Sequence, residues 1–116
     1  MNAPFNYIVN PTVIVPGVFA NGQWTATLPS TIYARDLTRV SLQGPVSSQA
    51  KVYLGAISPE NLFDFTQRGA ANTADYSGGP AHVQRSATVI VVWTPLGGVF
   101  TGTETVSATF SVRQAD

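Results

Sequence analysis

The side chains in this chain that could do acid–base or nucleophilic chemistry are few and loosely spaced. His82 is the only histidine. To act as a general base it needs a nucleophile such as Ser77 or Ser86 within hydrogen-bond reach and an orienting acid such as Asp75. Hydroxyl residues are too common here for that grouping to be a signal, and no nucleophile-elbow pattern is present. His82 reads better as a partly exposed histidine at a strand end. Glu60 and Asp64 lie four apart and could converge across a helical turn, with Asp75 as a third oxygen donor. Calcium wants about six to eight oxygens from a spaced Asp/Asn ladder, and that ladder is missing, so capping and solvation are the better use of these acids. The same two acids without a carbohydrate groove are a poor glycosidase pair. Gly78-Gly79 and Gly97-Gly98 precede neither a lysine nor a helix start, and read as turn glycines rather than phosphate loops. The expectation is a non-enzymatic chain with no catalytic residue, no metal site and no cofactor.

Charge narrows the partner classes. Six basic and six acidic residues give a net charge of zero. The basic ones are spread along the chain, whereas phosphate binding takes a clustered patch, so neither nucleic acid nor an anionic membrane surface is an expected partner. Charged residues make up only 10% of the chain, against about 25% in ordinary soluble domains. Such a surface protects poorly against association and suits a subunit partly covered by other protein. Cysteine is absent, which removes thiolate chemistry and disulfides. No apolar run approaches the roughly 20 residues of a helical membrane span. Residues 1–6 have neither the basic nor the apolar region of a secretory signal, so export by that route is not expected.

The 116 residues suffice for one core that buries roughly two-thirds of the unfolded surface. Period-2 alternation marks the strands. Thr12 to Val15 is broken at Pro16-Gly17, where a bulge or bend is expected. Val18 to Ala20 leads into Asn21-Gly22, a two-residue hairpin turn, and Gln23 to Leu28 returns. Arg39 to Gln43 and Ala50 to Leu54 read as two strands paired in a hairpin. Ser58-Pro59-Glu60 carries a helix-start signature good for one short turn. Phe63 to Thr66 alternates again, Ala70 to Pro80 reads as a long loop, and Ala81 to Arg85 as a short strand. Ala87 to Thr94 is apolar on both faces, which predicts a central strand or one covered from both sides. Thr105 to Arg113 alternates most cleanly. These elements predict an all-β chain, a single antiparallel β-sandwich domain over 1–116 with about seven or eight strands, jelly-roll or immunoglobulin-like, preceded by a possible extended arm over 1–11.

Trp24, Trp93, Phe110 and Tyr53 belong to strands and are expected in the core. Phe5, Tyr7, Phe63, Phe65 and Tyr76 sit in or beside irregular segments. They either close the ends of the sandwich or serve as partner-interface anchors, since aromatics dominate binding hot spots.

Val52-Tyr53-Leu54-Gly55, Ser58-Pro59-Glu60-Asn61, Asp64-Phe65-Thr66 with Gly69, Asn72-Thr73-Ala74-Asp75 and Val91-Val92-Trp93-Thr94 together resemble small virion proteins of tailed phages that infect actinobacteria, over roughly residues 38–113. The resemblance implies a β-sandwich structural component of the particle, a capsid decoration or cement protein. Its partners would be the major capsid protein, copies of itself, or both, in a homo-oligomer or lattice. It would be made in the host cytoplasm and reside on the virion surface. Residues 1–30 carry no matching motif. In the same setting, the alternative role is a tail-associated carbohydrate-binding or adhesion module.

Overall fold

The computed structural model describes residues 12–66, 71–75 and 80–114. Phe5, Tyr7, Tyr76, Ser77 and the arm expected over 1–11 lie outside them. Among the described residues are ten strands: β1 (Thr12–Pro16), β2 (Val18–Ala20), β3 (Gln23–Leu28), β4 (Arg35–Gln43), β5 (Ser48–Leu54), β6 (Leu62–Thr66), β7 (Ala71–Asp75), β8 (Ala81–Val83), β9 (Val89–Pro95) and β10 (Ser107–Gln114), with one 3-10 turn at Pro59–Asn61. They form two antiparallel sheets packed face to face as a β-sandwich. Sheet A runs β1-β10-β4-β7, with β8 also paired to β4; sheet B runs β2-β3-β9-β5-β6.

The pairs are nested. β5 pairs with β6, β4 with β7 and β8, β3 with β9, and β1 with β10, so the chain folds as one long ribbon rolled on itself. That is jelly-roll connectivity. The immunoglobulin alternative, in which the second strand lies between the first and the fifth, is not the arrangement found. The strand count exceeds the expected seven or eight because two long edges are each cut in two: β1 from β2 at Gly17, and β7 from β8 along β4.

Three expectations about strands and turns are corrected. β4 and β5 are not a hairpin: β4 lies in sheet A and β5 in sheet B, so the 44–47 link crosses between layers. Within the segment read as a loop, Ala71–Asp75 is a strand, held by β4 in the register Arg39↔Asp75 to Gln43↔Ala71. Its Ala-Asn-Thr-Ala-Asp composition has low strand propensity, and long-range pairing overrides that preference. Ser58 makes no side-chain cap bond to the 3-10 turn; a single turn presents few free N–H groups for a cap to satisfy.

The core comes from the alternating inner residues. Trp24, Ala26 and Leu28 of β3, Val89, Val91 and Trp93 of β9, and Ala108, Phe110 and Val112 of β10 meet Leu37, Val40 and Leu42 of β4 and Val52 of β5 in one cluster. Trp24, Trp93 and Phe110 are core as expected. Tyr53 is not: it is half-buried on the outer side of β5, where the alternation that buries Val52 must put it. At Asn21-Gly22 both residues have positive φ, 53° and 76°, which suits a type I′ turn between β2 and β3. Gly17 sits where β1 passes into β2. Its N–H donates to the Val106 carbonyl at 2.8 Å, an approach only a residue without Cβ permits, since that atom would lie 2.8 Å from Val106 Cγ1. Across the β10–β4 pair, Ser111 faces Arg39 and Val112 faces Leu37. Thr38 is therefore the extra residue of a bulge, and its hydroxyl donates to the Ser111 carbonyl at 3.0 Å.

Candidate functional site

β9 is the middle strand of sheet B, and its two faces differ in what they meet. Val89, Val91 and Trp93 point into the core; Ile90 and Val92 point outward. The register carries this outward apolar character across the sheet. One row runs Val18–Thr25–Val92–Lys51–Phe65, and the next runs Thr27–Ile90–Tyr53–Leu62. At the usual strand spacing the five strands span roughly 19 Å. Val18 is 65% and Leu62 40% exposed, Ile90 and Tyr53 are half-buried, and Val92 is only 7% exposed. Among the described residues no layer covers this face, and Lys51 is the only charged residue in the two rows.

Of the five aromatics expected at an interface, the structure places Phe63 and Phe65 together on β6, the edge strand beside this face. Phe63 is the extra residue of a bulge opposite Val52 and Tyr53 and is exposed. Phe65 stands opposite Lys51 in the ladder, its side chain outside the described residues. Phe5, Tyr7 and Tyr76 also lie outside them. The sequence reading missed the aliphatic surface. Val46 and Leu96 share one end of the sandwich, where the Leu96 N–H donates to the Ser47 carbonyl at 2.9 Å. Ile32 and Ile57 share the opposite end, where Ser86 bonds Thr31 and Gly55 bonds Thr88. Ile32 is 90% and Val99 83% exposed. Apolar residues on both parities of β9 were the one signal in the sequence for the outer face of sheet B.

His82, on β8, has Asp36 of β4 as its neighbour, with Nδ1 and Oδ1 3.3 Å apart. Asp75 is held on β7, opposite Arg39. The other Asp36 oxygen accepts from Arg113 at 3.1 Å. That hydrogen bond holds the Asp36 carboxyl below its usual value against a partial burial that opposes it, and His82 adds to the lowering. Ser86 is exposed, and its N–H donates to the Thr31 carbonyl. Among the described residues no hydroxyl hydrogen-bonds the His82 ring, so Ser86 is not paired with it as a nucleophile; Ser77 lies outside them. An open groove of about 370 Å³ beside it is lined by Leu54, Asn61, His82, Gln84 and Thr88 among others. Among the described residues no aromatic lines it as a platform for a sugar ring, and the Asn61 amide is engaged with the Ala56 carbonyl. Glu60 is exposed on the 3-10 turn and Asp64 lies on β6. Among the described residues no group of three or more His, Cys, Asp or Glu could hold a metal ion.

Two buried polar groups lie deeper. The Arg35 guanidinium donates to the Ala87 carbonyl at 3.2 Å, while its Nε finds no partner among the described residues. Burial lowers its pKa, with Tyr33 acting the other way. Trp93 Nε1 is likewise unpartnered.

No family model matches the chain, and no curated protein matches it.

Proposed function

We propose that this chain is a non-enzymatic structural subunit of a virus particle, a decoration or cement protein bound to the outside of a tailed-phage capsid through the outer face of sheet B. The observation that carries the reading is the outward apolar face of sheet B, where Val18 and Leu62 are exposed, Ile90 and Tyr53 are half-buried, and no layer among the described residues lies over them. Fully covering one such aliphatic side chain contributes roughly 1.5–3 kcal/mol, against about 4–15 kcal/mol lost in association. Scattered apolar residues do not overcome that cost, whereas several on one contiguous face can. The low charge of the chain and its resemblance to small actinophage virion proteins support the same reading, with the major capsid protein as partner.

Immunogold labelling of particles from the source that encodes the chain tests it. Label over the head is the expected result. Label confined to the tail favours the adhesion module instead, and particles without label overturn both roles.

A further inference from the structure

We infer that the outer edge of β1, which pairs with no strand among the described residues, is a self-association surface, where a second copy of this chain adds its own β1 antiparallel across a two-fold axis near Ile14. This does not rest on the particle-binding reading, which concerns the outer face of sheet B.

A sandwich has edges, and each edge exposes unpaired N–H and C=O groups that invite another strand; proteins blunt them with charges, proline, bulges or short strands. Three of the edges here are treated that way. β6 carries Asp64, and β7 and β8 carry Asp75 and His82. β2 has only three residues, and its Phe19 turns inward onto Trp24 with ring centroids 5.2 Å apart. β1 is different. It has five residues, pairs on one side with β10, and meets no strand among the described residues on the other. Val13 and Val15 pack on the core, leaving Thr12, Ile14 and Pro16 outward, with Ile14 69% exposed. No Asp, Glu, Lys, Arg or His occurs before Arg35 in the sequence.

That neutrality selects the occupant. In a two-fold contact each residue near the axis meets its own counterpart, so any charge there would face its like. The β1 edge meets this condition, and the charged edges do not. Centring the contact on Ile14 sets Ile14 against its counterpart and Thr12 against Pro16. On the outer face, the existing row Ile14–Thr109–Ser41–Thr73 then continues into the second copy. Pro16, which lacks an N–H, and the turn-out at Gly17 limit the ladder to one short stretch. Because each copy uses the same edge, the assembly closes at two instead of growing into a fibre.

Sedimentation velocity of the full chain over a concentration series tests this, with the variants Ile14→Lys and Ile14→Glu alone and mixed. Wild type should form a dimer. Each variant alone should dissociate at least about tenfold more readily, and the equimolar mixture should recover the dimer because Lys then faces Glu across the axis. A wild type that stays monomeric, a dimer that either variant leaves intact, or growth beyond two overturns the inference. If a variant fails to fold, hydrogen exchange of the wild type decides: protection of the Ile14 amide, which points away from β10, must rise with protein concentration, and concentration-independent exchange refutes the contact.

Discussion

The indole N–H of Trp24 donates to Oε1 of Glu104 at 3.0 Å, joining residues eighty positions apart in the chain. The same carboxylate accepts the Thr101 N–H at 2.8 Å, the Thr101 hydroxyl at 3.1 Å and the Gly102 N–H at 2.9 Å. One acid thus organises the long β9–β10 connection and ties it to β3, beneath a Phe19 ring that packs on both Trp24 and Gly102.

The Thr101 backbone bond, with Gly102 and Trp24 adding to it, lowers the Glu104 pKa from 4.5 to about 2. A depressed folded-state value means the unfolded chain takes up the proton first. The stabilisation is whole above about 4.5 and is lost as pH falls toward about 2. Thermal melts between neutral pH and pH 2 should show wild type losing Tm through this window. Glu104→Gln should have a lower Tm at neutral pH and a shallower acid decline. Equal acid slopes for the two proteins would refute the role given to this carboxylate.

Gly17→Ala should destabilise by about 1–3 kcal/mol. The new methyl meets Val106 Cγ1 at 2.8 Å and Trp24 Cε3 at 3.0 Å, and both side chains are buried and cannot withdraw. Urea unfolding measures the loss, and Val106→Ala in the same chain should recover part of it by opening the space.

Phe110 and Ile32 should behave as opposites. Phe110 is fully buried between the sheets, so Phe110→Ala should cost about 3–5 kcal/mol. Ile32→Ser, at a site 90% exposed, should stay within about 0.5 kcal/mol. Comparable losses at the two sites would contradict this placement of the core.

Leu62→Lys together with Val18→Lys puts charge on the outer face of sheet B while leaving the core alone. Stability should change by less than about 1 kcal/mol, whereas co-sedimentation with capsids should fall at least about tenfold. Undiminished binding by a folded variant would remove this face as the docking surface. His82→Ala, which among the described residues breaks a single surface pairing, with Asp36, should alter neither binding nor, beyond about 1 kcal/mol, stability.

Local pattern was enough for what depends on near neighbours. Alternation in β3 and β10 named their buried faces, Asn21-Gly22 named its turn, and the doubly apolar β9 announced a central strand with an outward face of its own. Pairing between distant segments left no such trace. Ala71–Asp75 became a strand only because β4 offered it a ladder, the 44–47 link separated two strands that looked like a hairpin, and Asp36, far off in the chain, came to stand beside His82. Side-chain periodicity records which face of a strand avoids water, and the sequence determined that much by itself. Strand order, the nesting of first with last, and which edge is left open depend on contacts made across the whole chain, and only the folded molecule decided them.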